Sequence, residues 1–256
     1  MILEGKKVVI MGIRNKWSIA WGAARSAYEQ GAQVIFTHNA TESEEKVQAL
    51  ISEIPGSKSF PCDAGSDESI KDCLQNIKNE YGKVDGILHS IAHAFTDDLR
   101  NDFLMTSREG YAHACDISAY SFVATARIAK ELDMLNEGAS FVTFTYFGSE
   151  KVMEGYNVMG VAKAALETSI KYMAKDLGKD GYRVNAVSAG PIKTLSAKGI
   201  KDFGSILDVV EERAPLHANV TTTQVGDVTA FLFSNLSSAV TGEVIHADNG
   251  FNVTGV

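Results

Sequence analysis

The chain reads as an α/β protein: a single-domain, doubly wound parallel sheet of the Rossmann type, about seven strands with helices on both faces. Three observations lead there. Short apolar, β-branched runs recur along the chain, and the intervals between them carry helical periodicity. The 256 residues hold only four prolines, with no break in composition, internal repeat or proline-rich linker, so one domain spans 1–256. Strands that alternate with helices give a parallel sheet covered on both sides and joined by right-handed crossovers.

Lys7-Val-Val-Ile-Met11 is the first strand, and Ile19 to Glu29 is the helix that follows it. Gln33-Val-Ile-Phe-Thr37 is the second strand, Glu42 to Ile54 the second helical stretch, and a weaker third strand lies near Ser59-Phe60. Val84–His89, Ser140–Thr145, Arg183–Val187 and Glu243–His246 complete seven. The least regular stretch runs from about Lys193 to Leu216, after the sixth strand. Loops after strand C-termini line the ligand crevice of such folds, so 193–216 is a candidate lid over a substrate.

Charged residues are 22% and hydrophobic residues 45%, ordinary proportions for a globular chain that buries a core without staples. A net charge of -8 argues against a dedicated nucleic-acid binder, which needs a basic surface. Cys62, Cys73 and Cys115 are sparse and lack metal-ligand spacing, which points to reduced thiols in the cytoplasm and no metal centre. The opening Met-Ile-Leu-Glu-Gly-Lys-Lys has no signal-peptide plan, and no apolar stretch is long enough to span a membrane.

Tyr156-Asn-Val-Met-Gly-Val-Ala-Lys163 sets a phenol and an ammonium seven residues apart in a helix-prone segment, close to two turns, so both project from one face. An unperturbed phenol has a pKa of about 10, and a nearby ammonium makes its proton easier to give. Such a pair suits an oxygen that is gaining negative charge. Spacing alone favours a plain helix with a surface lysine, and the rest of the chain changes that balance.

Gly12 closes the first strand with a tight turn, and Ser18 is placed to cap the next helix, whose free N–H groups suit a pyrophosphate. The stretch lacks the G-x-G-x-x-G fingerprint and fits a simple strand–turn–helix joint as well. The second strand ends Phe36-Thr37-His38-Asn39, with neither the acidic residue that holds a ribose diol nor the arginine that holds a 2′-phosphate. Asn39 can bond the adenosine end without demanding a phosphate, which favours NADH over NADPH, although Arg14 and Lys16 lie in the first loop. Asp63, after the third strand, suits the adenine amino group or a turn, and Ser90-Ile91 would run beside the cofactor.

Gly12-x5-Ser18-Ile-Ala20, His89-Ser-Ile-Ala92, Asp116-Ile-Ser118, Thr145-Tyr146, Tyr156 to Lys163 and Arg183-Val-Asn-Ala-Val-Ser-Ala-Gly-Pro-Ile192 occur in that order. Together they resemble bacterial enoyl-acyl carrier protein reductases of the FabI type, in the short-chain dehydrogenase/reductase superfamily. The resemblance runs from the first strand to the last. Most of the superfamily uses a three-residue gap between tyrosine and lysine; the six-residue gap here, with Tyr146 ten residues before Tyr156, matches the enoyl reductases.

The resemblance implies reduction of a trans-2-enoyl thioester on acyl carrier protein, in fatty acid biosynthesis. Hydride goes from the nicotinamide to the β-carbon, and Tyr156 stabilises the enolate oxygen. Lys163 would hold the nicotinamide ribose, and Tyr146 would shape the pocket and join the catalytic set. Gly12, Ser18, Ile19, Asp63, Ser90, Ile91, Ile192 and Thr194 would contact the dinucleotide. Ala94, Tyr146, Tyr156, Met159, Ile200 and Phe203 would line an apolar slot, where each buried methylene contributes about 0.8 kcal/mol. Thr194 to Phe203 would close over it, and the family implies a homotetramer.

Three residues depart from the pattern. His93 stands where phenylalanine is common, Phe147 where leucine is usual, and His217 where many relatives carry arginine. Lys193, Lys198 and Lys201 remain to meet an acidic carrier protein. A carbonyl reductase of the same fold, a non-catalytic dinucleotide sensor and an interaction module are the competing readings. They are told apart by turnover of a ketone, by no turnover, and by no cofactor binding.

Overall fold

The computed structural model describes residues 1–39, 41–194 and 203–254. Seven parallel strands form one sheet in the order β3-β2-β1-β4-β5-β6-β7. They are β1 (Lys7–Met11), β2 (Gln33–His38), β3 (Ser59–Pro61), β4 (Val84–His89), β5 (Leu135–Thr145), β6 (Arg183–Ala189) and β7 (Val244–Ala247). The helices are α1 (Ile19–Glu29), α2 (Glu44–Ile51), α3 (Asp67–Tyr81), α4 (Thr96–Arg100), α5 (Arg108–Cys115), α6 (Ser121–Glu131), α7 (Asn157–Gly178), α8 (Phe203–Arg213) and α9 (Thr222–Phe233). The doubly wound expectation holds, and strand for strand the sequence reading is recovered.

Period-two alternation splits each central strand between two cores. Val8 and Ile10 of β1 pack with α1 and α9, whereas Val9 and Met11 pack with α3, α6 and α7. All four are fully buried, and each large apolar side chain so buried contributes roughly 1.5–3 kcal/mol. Side-chain caps fix where helices begin. Ser18 accepts from Trp21 N–H, Ser66 from Ser69 N–H and Ser107 from Gly110 N–H, and Thr221 with Gln224 forms a capping box on α9. Helices α1 and α9 touch backbone to backbone. A Cβ on Gly22 would lie 2.3 Å from Thr222 O, and Ser26 Oγ donates to Thr223 O at 3.4 Å.

Two differences from the sequence reading stand out. Strand β5 starts at Leu135, before the apolar run at Ser140, because Leu135 pairs with Val84 across a register shift. The stretch read as irregular over 193–216 contains the eleven-residue helix α8. Residues 195–202, including Lys198, Ile200 and Lys201, lie outside the described residues.

Candidate active site

The strand order reverses at β1, with β2 on one side and β4 on the other, and such a switch point opens a crevice at the strand C-termini. Gly12 sits there with φ +84°, and a Cβ on it would lie 2.7 Å from Ser90 O and 2.8 Å from Ile91 Cγ1. Only a glycine lets the two strand ends approach so closely while turning through a left-handed conformation. Gly12 N–H and Ile13 N–H bond Thr37 O at 3.2 and 2.9 Å, which ties the end of β1 to β2. The first turn of a helix leaves N–H groups without helical partners. Ser18 takes that of Trp21 at 3.2 Å and donates to Asn15 O at 2.8 Å, holding the N-terminus of α1 over the crevice.

Further out, the expected adenosine residues sit on exposed turns. Asn39 Oδ1 accepts from Thr41 N–H (2.9 Å) and Thr41 Oγ1 (2.8 Å), so its amide oxygen is committed to the turn. Asp63 Oδ1 accepts from Gly65 N–H at 2.9 Å, the turn role weighed beside the adenine role. Arg14 pairs with Glu42 at 3.1 Å, and Lys16 Nζ lies 5.7 Å from the centre of the Trp17 ring.

The other end of the crevice is built from β5 and α7. Tyr146, just past β5, and Tyr156, at the start of α7, meet edge to face with ring centres 4.9 Å apart. A Cβ on Gly148 would lie 2.5 Å from Tyr156 Cδ1, and one on Gly160 would lie 2.6 Å from Gly148 O. The turn after β5 is thereby wedged against α7, and the Tyr156 ring with it. Asn157 adopts φ 38°, a left-handed conformation that asparagine tolerates, and its Nδ2 donates to Leu99 O (3.2 Å) and Asn101 O (2.7 Å). Lys163 is buried and its Nζ donates to Phe144 O at 2.7 Å. Glu167, one turn further, accepts from Thr145 Oγ1 and Ser149 Oγ, both at 2.5 Å.

Electrostatics correct one expectation. The sequence reading has Lys163 making the Tyr156 phenol more acidic; its pKa instead rises, first by burial, then by Tyr146 and Glu167. Desolvation of the anion is the leading cause, and the ammonium's own contact is a backbone carbonyl. Burial likewise pushes Tyr146 up to about 12. It lowers Lys163 to about 8, against the opposing field of Glu167. Both phenols therefore stay protonated at neutral pH, as hydrogen-bond donors.

Met159 is buried one turn into α7 and its Sδ accepts from Ser118 Oγ at 3.7 Å. Ser118 also bonds the backbone of His93, and Ala94 packs against Ala114, Val158 and Ala162. The segment after β4 thus leans on α7. His93 Nδ1 meets His113 Nε2 at 2.7 Å, and Phe95 stacks on His113. Burial, then His113, then Arg14 lower the His93 pKa. Beneath, His89 is buried and its Nε2 meets Ser121 Oγ at 2.7 Å while its Nδ1 has no partner; burial, then Lys163, lowers its pKa to about 3. Ile192 packs on the α1 side of the sheet and its carbonyl accepts from Thr194 N–H at 2.8 Å. Phe203 opens α8, and Ile200 lies outside the described residues.

Sequence reading missed Glu167, Asn157, Gly148 and His113. Only Glu167 carried a usable signal, its i, i+4 spacing from Lys163. No cluster of metal-ligand type occurs among the described residues.

Residues 12–252 match the family model described as Enoyl-(Acyl carrier protein) reductase. The chain is 50% identical over 256 residues to the NADH-dependent enoyl-[acyl-carrier-protein] reductase FabI of Bacillus cereus, covering 99% of each chain. It is 49% identical to the NADPH-dependent FabI of Staphylococcus aureus, covering 98% of each. A crystal structure of the Bacillus cereus reductase with NADP+ and indole naphthyridinone superposes with a TM-score of 0.96 at 50% identity, covering 100% of this chain and 99% of that one.

Proposed function

Because the chain belongs to the enoyl-acyl carrier protein reductase family, we propose that its crevice reduces trans-2-enoyl thioesters carried on acyl carrier protein, with NADH as the donor. The observation that carries this reading is the Tyr146–Tyr156 contact beside buried Lys163, at the C-terminal edge of the sheet. A dinucleotide suits the other half: Gly12 lets the ends of β1 and β4 close on each other at the switch point, and the capped N-terminus of α1 stands beside it. Bound there, NADH would supply hydride to the β-carbon of the conjugated thioester, and a proton taken up at the α-carbon would complete the saturated product.

The chain's own groups do the rest. Tyr156, held protonated by burial, donates a hydrogen bond to the thioester oxygen as negative charge collects there. Lys163 reaches the ribose hydroxyls from its carbonyl anchor on Phe144 and keeps the local potential positive. Tyr146 fixes the tilt of the Tyr156 ring and walls the acyl slot with Ala94 and Met159. Gly12, Ser18, Ile19, Ser90, Ile91, Ile192 and Thr194 line the dinucleotide, with Asn39 and Asp63 at its adenosine end. Exposed Lys193 offers a positive charge to the acidic carrier. Exposed Tyr111, Tyr120 and Tyr172 on and between α5, α6 and α7 support assembly as a homotetramer through those helices. The three free cysteines fit a reduced cytoplasmic enzyme.

The deciding assay follows loss of NADH absorbance with crotonyl thioester, beside runs with NADPH and with acetoacetyl thioester. Rapid turnover of the enoyl substrate alone is the expected result. Reduction of the ketone in its place moves the chain to the carbonyl reductases.

A further inference from the structure

We propose that Glu42 selects NADH over NADPH, by holding Arg14 in an ion pair at the adenosine end and setting a carboxylate where a 2′-phosphate would lie. The proposal rests on the dinucleotide reading above and adds the residue that discriminates. Folds of this type read the adenosine ribose at the end of the second strand, with a carboxylate for the free diol or an arginine for the phosphate. Here the strand ends in His38-Asn39, and the acidic residue comes from the turn that follows.

The geometry places Glu42 well. Its N–H bonds Asn39 O at 2.9 Å, and Asn39 Oδ1 braces the same turn through Thr41. The β1–α1 loop is brought alongside by the bonds from Gly12 and Ile13 to Thr37 O. Arg14 Nε then meets Glu42 Oε1 at 3.1 Å, with the arginine side chain 65% exposed and the glutamate 28%. The other cation of that loop, Lys16, lies over Trp17. Glu44 and Glu45 follow in the first turn of α2. Burial lowers the His38 pKa while Glu44 and Glu42 oppose it, so both carboxylates project their field onto the end of β2.

A 2′-phosphate arriving here meets a carboxylate first, and the guanidinium that would receive it is already paired. A free hydroxyl meets no such barrier, because it hydrogen-bonds to a carboxylate and needs no cation. Relatives of almost equal similarity divide between the two cofactors, so a few side chains suffice to decide the choice.

The test compares Glu42→Gln with the parent by kcat/KM for NADPH and for NADH. The ratio should shift toward NADPH by about tenfold, through a gain with NADPH, because removal of a like charge and release of Arg14 act together. Adding Arg14→Gln to Glu42→Gln should abolish most of that gain. Competition by 2′,5′-ADP against ADP for displacement of bound NADH reads the same preference without turnover. An unchanged ratio in both measurements overturns the proposal, as does a shift that comes only from loss of NADH activity. A parent that binds neither nucleotide overturns the dinucleotide reading itself, and this proposal with it.

Discussion

The two ends of the crevice are held in different ways. At the adenosine end the anchoring is backbone: Gly12 and Ile13 bond Thr37, Ser18 caps α1, and the side chains at Asn39, Glu42 and Asp63 ride on exposed turns. At the proposed catalytic end the working side chains are themselves held: Tyr146 rests on Tyr156, Gly148 lies under the Tyr156 ring, Lys163 Nζ bonds the Phe144 carbonyl, and Glu167 gathers two hydroxyls. A recognition surface of the first kind tolerates exchange of its side chains. A reaction centre of the second kind does not, because each group is fixed by its neighbours. Substitutions should therefore separate the two ends by the size of their effect.

The largest effect is expected at Tyr156→Phe, which keeps the ring contact and removes the donor. Its kcat on crotonyl thioester should fall on the order of 100-fold with the NADH KM nearly unchanged. Activity equal to the parent would sink the assignment. Next comes Gly148→Ala. The added methyl would lie 2.5 Å from Tyr156 Cδ1, so the ring must move and kcat should drop about tenfold or more. A variant with parental kcat would show that the wedge does not position the phenol.

Acid should act on the catalytic end as well. His89 is buried with its pKa lowered from 6.5 to about 3, so the unfolded chain binds the extra proton first as pH falls. The stabilisation is present above pH 6.5 and is lost below it, at about 1.4 kcal/mol per pH unit until the folded-state value is reached. His89→Gln should flatten the acid limb of denaturant-measured stability between pH 6 and 4, and an unaltered slope would remove His89 from that account. The smallest effect is expected at Asn39→Ala, where the turn loses its brace: the NADH KM should rise by about two- to threefold, with kcat unaffected. A large fall in kcat there would break the contrast between the two ends.

Legibility in the sequence follows the same division. Strands β1 and β4 and helix α1 match the sequence reading residue for residue, because apolar runs and a capping serine are local signals. The pair Tyr156 and Lys163 was singled out by spacing and resemblance, although Tyr156 caps α7 instead of lying within it and Asn157 turns left-handed between the two, so helical spacing alone does not set their geometry. What holds the pair was not legible, since Asn157 bonds across 56 residues and Lys163 across 19. The acidity of the phenol was misjudged for a related reason: spacing reveals a charge nearby in the sequence but not the burial that raises the phenol's pKa. Helix α8 carries apolar residues at helical spacing, Ile206, Leu207 and Val210, and was passed over because the Lys-, Ser- and Gly-containing stretch before it dominated the reading of 193–216.

The contact between α1 and α9 joins residues 197 positions apart, at Ser26 and Thr223. Helix α1, proposed above to face the cofactor phosphates, leaves the ribosome well before α9, the helix that packs against it. At roughly 5–20 residues per second the wait is about 10–40 s. Through that interval Ala20, Ala23, Ala24 and Ala27 lack the partner they have in the finished protein. Nascent chains halted before Thr222 should accordingly need a chaperone to stay dispersed, while chains released past Phe233 should not.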